Sequence, residues 1–345
     1  MGIIKAVLLG CEGAMLTDAE RELFARINPF GFILFQRNCE NPAQVRALTQ
    51  ALRASVGRDD APVFIDQEGG RVARLKPPHW PLFPALRPIG RWAEKNLEKG
   101  CEIIRLHSRL TAAMLRDVGI DGNCAPVLDL YVEGASSAIG DRALSAMPEL
   151  VAELGRCAVE AYLEGGVYPV IKHMPGHGRV LVDPHCDLPF VDTDEETLRS
   201  TDFIPFKALS DAPFAMNCHI VFRALDPLNP VSLSSTVHQN IIRGALGFQG
   251  LVMSDDLAMG ALKLPLEQRV RQAFEAGADI ALYCTGSIEG MKRIEPVLPA
   301  LSDAAQERWR RAQALRKAAE GSQKSPLDLA SMRKQFDGLM AELSA

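Results

Sequence analysis

The stretch Ile171-Lys-His-Met-Pro-Gly-His-Gly178, read with its counterpart Leu251-Val-Met-Ser-Asp-Asp-Leu257, decides the fold. Each is an apolar run that ends abruptly in ionisable residues. That is the pattern of a strand buried on both faces that delivers reactive groups to one end of a parallel sheet. Similar short runs occur at Ile3 to Gly10, Gly31 to Phe35, Pro62 to Asp66, Asn123 to Leu130, Tyr168 to Met174, Phe214 to Phe222, Leu251 to Asp255 and Ile280 to Cys284, giving eight predicted strands. Segments of helical period lie between them. Thr17-Asp-Ala-Glu20 and Thr193-Asp-Glu-Glu196 place a hydroxyl three residues before a Glu, the spacing of a capping box at a helix start. Eight βα units in about 290 residues predict an α/β fold of the closed (β/α)8 barrel type rather than an open doubly wound sheet. Neither Gly-x-Gly-x-x-Gly nor a phosphate-binding loop is present, so a nucleotide cofactor has no support.

Composition sets the outer limits. With 345 residues, 47% hydrophobic and 23% charged, the chain can bury one large core. It is read as a single barrel domain over 1–345, with the core at about 3–300 and terminal helices over 301–345. The formal net charge of −5 and the lack of any Lys/Arg block argue against a nucleic-acid partner and leave a small neutral or acidic substrate open. No apolar run approaches the length of a membrane span. The N-terminal segment reads as a first strand rather than an export signal. Eight cysteines scattered singly, with no Cys-x-x-Cys, read as reduced thiols, and a cytoplasmic location is expected. Leu75 to Gly90 holds five prolines and predicts a rigid surface loop after the third strand. Ser322 to Pro326 reads as a break between two terminal helices. A monomer or a weak homodimer fits the amphipathic outer helices equally well.

Three constellations carry chemistry. In Ser254-Asp-Asp256 the adjacent carboxylates point in different directions if the strand continues. Asp255 can then face the barrel mouth while Asp256 caps the following helix or pairs with a cation; the plain alternative is that both are loop caps. In His173-Met-Pro-Gly-His177 the spacing matches metal ligands on a helix, but Pro175 and Gly176 oppose a helix there. A tight loop with hydrogen-bonded core histidines is the competing reading. In Asp183-Pro-His185 the proline pushes Asp183 toward an extended conformation, close enough to pair with His185. Such a pair suits a group that first donates and then accepts a proton, although most Asp-x-His strings are incidental.

Taken together these strings resemble the glycoside hydrolase family 3 β-N-acetylhexosaminidases of the bacterial single-domain NagZ type. The resemblance extends to Gly31-Phe-Ile-Leu-Phe-Gln-Arg-Asn38, Asp66-Gln-Glu-Gly-Gly-Arg-Val-Ala-Arg74, Ala125-Pro-Val-Leu-Asp129 and Ile139-Gly-Asp-Arg142, in order along nearly the whole chain. It implies a (β/α)8 barrel that removes a non-reducing N-acetylglucosamine from muropeptides carrying 1,6-anhydro-N-acetylmuramic acid, as in peptidoglycan recycling. It further implies Asp255 as nucleophile, His185 paired with Asp183 as acid/base, and Asp66, Arg74, Arg142, Lys172 and His173 as the sugar-binding shell. No metal or organic cofactor is implied.

The chain departs from the family's usual pattern at Gly178-Arg179-Val180 and at Pro184, which bears on how the acid/base loop moves. Three other readings stay open at this stage. One is phosphorolysis by the same dyad. A second is a metal-dependent barrel hydrolase using His173, His177, His185 and Asp255. The third is a catalytically silent barrel that binds muropeptides.

Overall fold

Along the first strand, β1 (Lys5–Gly10), Ala6 and Leu8 join one apolar cluster while Val7 and Leu9 join another. That alternation follows from the two-residue period of a strand with both faces buried, one toward a barrel interior and one toward covering helices. The computed structural model describes residues 2–181, 188–321 and 328–344. Its further strands are β2 (Pro29–Leu34), β3 (Val63–Ile65), β4 (Gly122–Asn123), β5 (Tyr168–Met174), β6 (Phe190–Val191), β7 (Phe214–Asn217), β8 (Val221–Phe222), β9 (Leu251–Asp256) and β10 (Ile280–Tyr283). Eight of them pair in parallel around a closed ring, β1-β2-β3-β4-β5-β7-β9-β10 and back to β1. The remaining two, β6 and β8, form a separate parallel pair. The predicted (β/α)8 barrel is therefore the fold.

The barrel interior is filled by Leu8, Phe30, Phe64, Tyr168, Phe214, Met253 and their neighbours. At the amino-terminal end of the strands Trp309, on the helix Asp303–Gly321, meets Phe30 and Tyr168 with ring centroids 5.1 Å apart and Phe214 at 6.0 Å. Leu301, Ala305 and Ala312 join the same cluster, so this helix stoppers that end of the barrel. The last helix, Leu329–Ser344, turns Phe336 onto Phe83 and His107. No described helix is long and apolar enough to cross a membrane.

Several expectations are corrected. The proline-rich segment is only in part the expected surface loop: Lys76 to His79, Pro81 and Leu82 are exposed, but Leu75, Trp80 and Phe83 are buried, and Leu86–Ala93 is a helix. Pro88 fits there because the first helical turn leaves its N–H groups unpaired in any case. Gly90 is required because a Cβ would stand 1.6 Å from the Leu144 carbonyl oxygen. The predicted strand Asn123 to Leu130 pairs regularly only over Gly122–Asn123, since Pro126 brings no donor to the ladder, and it is rejoined by a bridge from Val127 to Lys172. The run Phe214 to Phe222 divides between β7 and β8. Thr17 and Glu20 do form a capping box, whereas the helix Glu195–Ser200 is capped by Asp194 rather than Thr193. The break at Ser322 to Pro326 lies outside the described residues.

Candidate active site

A parallel strand that ends on the interior face of a barrel projects its last side chain into the mouth, and the sequence places charge at those positions. Lys172 lies two residues beyond Val170 on β5 and keeps the inward phase. Asp66 and Glu68 follow β3 with the same spacing, and Asp255 lies two beyond Met253 on β9. Together with Arg74, Arg142 and His173 they line one cavity of about 270 Å³ at the carboxyl ends of the strands. Six of the eight sequence-predicted site residues are thus brought together. The other two, Asp183 and His185, lie outside the described residues.

Ion pairs run along one wall. Lys172 Nζ donates to Asp66 Oδ1 at 2.9 Å and contacts Glu68 Oε1 at 2.6 Å. Arg74 Nη2 donates to the second Asp66 oxygen at 3.1 Å. Arg142 embraces Glu68 with two parallel bonds of 2.8 Å, from Nε and Nη2. Burial opposes the charge of Asp66, but Lys172 and Arg74 outweigh it and hold the carboxyl well below the usual range. Glu68 is likewise brought down to about 2, with Arg142 and Lys172 overcoming burial. Lys172 moves the other way: burial disfavours its charge, and Asp66 and Glu68 more than restore it.

The two aspartates after Ser254 take opposite characters. Asp255 Oδ1 accepts the Asp256 amide at 2.8 Å. Burial raises its pKa, but His219, His173 and that amide leave it below the ordinary carboxylate value. Asp256 Oδ1 instead accepts the amides of Ala258 at 3.0 Å and Cys284 at 3.1 Å, and burial pushes its pKa up. One carboxylate is therefore an ionised group facing the cavity, and its neighbour fixes the turn and the end of β10.

The loop after β5 is organised by Asp129, which the sequence reading did not single out. Its carboxylate accepts the His173 ring Nδ1 at 2.7 Å and the main-chain amides of His173 at 3.1 Å and His177 at 2.7 Å. With Nδ1 committed to Asp129, no hydrogen bond among the described residues occupies the other ring nitrogen of His173, which lines the cavity. His177 is pushed down to about 4 by burial and the neighbouring His173, so it is neutral near neutrality. Among the described residues no group of three or more His, Cys, Asp or Glu is arranged to hold a metal ion. Beyond this, Arg179 donates to Asp202 at 2.6 Å and to Thr201 at 3.0 Å, and Val180 is buried. The departures at Arg179 and Val180 thus have a local partner or a packing site, and Pro184 lies outside the described residues.

Glu68, Asp129 and His219 are the polar groups that sequence reasoning passed over. Glu68 carried a usable signal, its two-residue spacing from Asp66. Asp129 also carried one, as the charged end of the apolar run from Ala125. His219 had none: its ring bonds Ser232 Oγ at 2.7 Å and the Asp256 carbonyl at 3.0 Å, and the second contact exists only once β9 stands beside β7.

Comparison with known proteins agrees with this geometry. The family model described as the glycosyl hydrolase family 3 N terminal domain matches residues 6–315. The chain is 37% identical over 286 residues to the β-hexosaminidase of Alkalilimnicola ehrlichii, covering 82% of this chain and 81% of that protein. It is 38% identical over 301 residues to that of Thioalkalivibrio sulfidiphilus, covering 86% and 84%. Among solved structures, NagZ from Neisseria gonorrhoeae in complex with N-trifluoroacetyl-D-glucosamine superposes with a TM-score of 0.85 at 27% identity over 98% of both chains. A family 3 β-N-acetylglucosaminidase from Paenibacillus sp. str. FPU-7 gives 0.83 at 29% identity, covering 97% of this chain and 67% of that one.

Proposed function

The chain belongs to glycosyl hydrolase family 3 as a β-N-acetylhexosaminidase, and from that premise we propose that it is a retaining exo-β-N-acetylglucosaminidase of peptidoglycan recycling. Its substrate is the β-1,4 bond between N-acetylglucosamine and 1,6-anhydro-N-acetylmuramic acid in muropeptides. The observation that carries the reading is Asp255: an ionised carboxylate at a barrel strand end, facing a cavity that also holds Asp66, Arg74, Lys172, Arg142 and His173.

In this reading Asp255 attacks the anomeric carbon while protonated His185, held by Asp183, gives its proton to the departing oxygen. The neutral imidazole then takes a proton from water, which attacks the glycosyl-enzyme and releases the sugar with its configuration retained. This assigns the acid/base role to a histidine where most glycosidases use a second carboxylate. Asp66, with Lys172 and Arg74 on its two oxygens, still has lone pairs to accept sugar hydroxyls, and His173 offers its other ring nitrogen. A protein nucleophile leaves the substrate's acetamido group to recognition.

The test is release of nitrophenol from p-nitrophenyl N-acetyl-β-glucosaminide in metal-free, phosphate-free buffer, followed by release of N-acetylglucosamine from an anhydro-muropeptide. Turnover by the wild type and its loss in Asp255→Asn are expected. Absence of wild-type turnover on both substrates would overturn the assignment, and acceleration by added phosphate would replace hydrolysis by phosphorolysis.

A further inference from the structure

Glu68 differs from the carboxylate two residues before it. Asp66 keeps 14% of its side chain open, whereas Glu68 keeps 2%. Both Glu68 oxygens are taken by cations, Lys172 and Arg142 on Oε1 and Arg142 on Oε2. Along the wall the charges alternate as Arg74, Asp66, Lys172, Glu68, Arg142. Behind Glu68 lies a void of about 10 Å³, lined also by Pro126, His107, Ser108 and Tyr162, in which His107 Nε2 finds no partner. That space is at the lower limit for one water, so the rear of Glu68 offers almost no solvent to compensate a lost cation.

We propose that Glu68 is a positioning residue for the hydrolysis: it stays off the sugar, fixes the aim of Lys172 and Arg142, and sets the charge of the cavity wall. The inference rests on the proposed function and deepens it. Lys172 has three N–H donors; one goes to Asp66, and the ion pair with Glu68 2.6 Å away fixes the direction in which the ammonium can offer another to a sugar oxygen. Arg142 is held flat by its two-point grip on Glu68, with Nη1 tied to the Ala138 carbonyl at 2.9 Å. Without the Glu68 carboxylate, Lys172 swings toward Asp66 alone and Arg142 keeps only one anchor. The wall also gains one net positive charge.

Glu68→Gln removes the charge at nearly constant shape. On the aryl glycoside, kcat/KM should fall about 100-fold, with KM rising more than kcat falls. The acid limb of kcat/KM should move to lower pH, because the extra positive charge on the wall favours the ionised form of Asp255 in the same cavity. Combined with Lys172→Met, the loss should be smaller than the product of the single losses, since the two residues act as a unit. Glu68→Asp keeps the charge but withdraws it by one methylene; it should raise KM and leave the acid limb in place, and it serves if the amide variant does not fold. A folded Glu68→Gln within threefold of wild type overturns the role. So does a loss of activity with an unmoved pH limb and multiplicative double-variant effects, which would mark Glu68 as structural only. If the wild type neither hydrolyses the glycoside nor binds N-acetylglucosamine by calorimetry, the proposed function itself fails and this role goes with it.

Discussion

The two mouths of the barrel share the same strands, yet one is filled with rings and the other with charges. At the amino-terminal end Trp309 closes on Phe30, Tyr168 and Phe214. At the carboxyl-terminal end Asp66, Glu68, Lys172 and Asp255 face an open cavity. Ring packing lowers the free energy of the native state directly. Gathering charges does so only where each ion finds its counter-ion, and Asp255, which has no ion pair among the described residues, is placed for reaction rather than stability. One end holds the barrel together and the other uses it.

The hardest test of that division is Asp255→Asn. It should lower kcat by about 10⁴-fold or more while lowering the thermal midpoint only slightly, because the surroundings that hold the Asp255 pKa down favour its charge only modestly over burial. A large drop in the midpoint would mean that the open mouth also carries the fold. Trp309→Ala is the mirror experiment. Loss of the ring should cost about 3–5 kcal/mol of stability in denaturant unfolding, with KM of the folded fraction unchanged. A raised KM would join the two ends that the comparison separates.

Acid titration sharpens the contrast further. Burial brings His107, His177 and His238 each down to about 4. The unfolded chain takes up their protons near pH 6.5 and the folded chain does not, so stability is complete above that pH and declines as pH falls toward 4. Asp66 and Glu68 behave later: their contribution is present above the unfolded carboxylate pKa and is lost only as pH falls to about 2 for Glu68. In His107→Phe the loss of stability between pH 6.5 and 4 should be shallower by about 1.4 kcal/mol per pH unit, as read from urea midpoints. An unchanged slope would assign acid sensitivity to other groups. The smallest effect is expected at the closed end. Asp279 is gripped at 2.7 Å by both Arg308 and Arg243, so Arg308→Met should cost about 1 kcal/mol, and a loss several times larger would show that the helix is pinned by charge as much as by Trp309.

Much of this was legible in the chain. Strand positions follow from apolar runs, and Asp255 was read from the strand that it ends, whereas Lys172 entered through the family resemblance although the phase of its strand also points it at the mouth. The misreadings share a cause. Prolines from Pro77 to Pro84 mark the absence of regular hydrogen bonding and the segment is largely exposed, but Trp80 and Phe83 pin it into the core and it ends in a helix that buries Ile89. Asp129 and His219 act on residues 44 and 37 positions away in the chain, through contacts that no local pattern encodes. Asp183 and His185 remain part of the proposal through the family resemblance, and the described residues do not include them.

The stopper helix also imposes an order on biosynthesis. Trp309 follows all eight barrel strands in the chain, and β10, which must pair with β1 to close the ring, is itself the last of them. A nascent chain leaving the ribosome therefore carries an open-floored sheet with Phe30, Tyr168 and Phe214 uncovered until residues beyond 309 have emerged. Those rings are the surface that a chaperone would meet first.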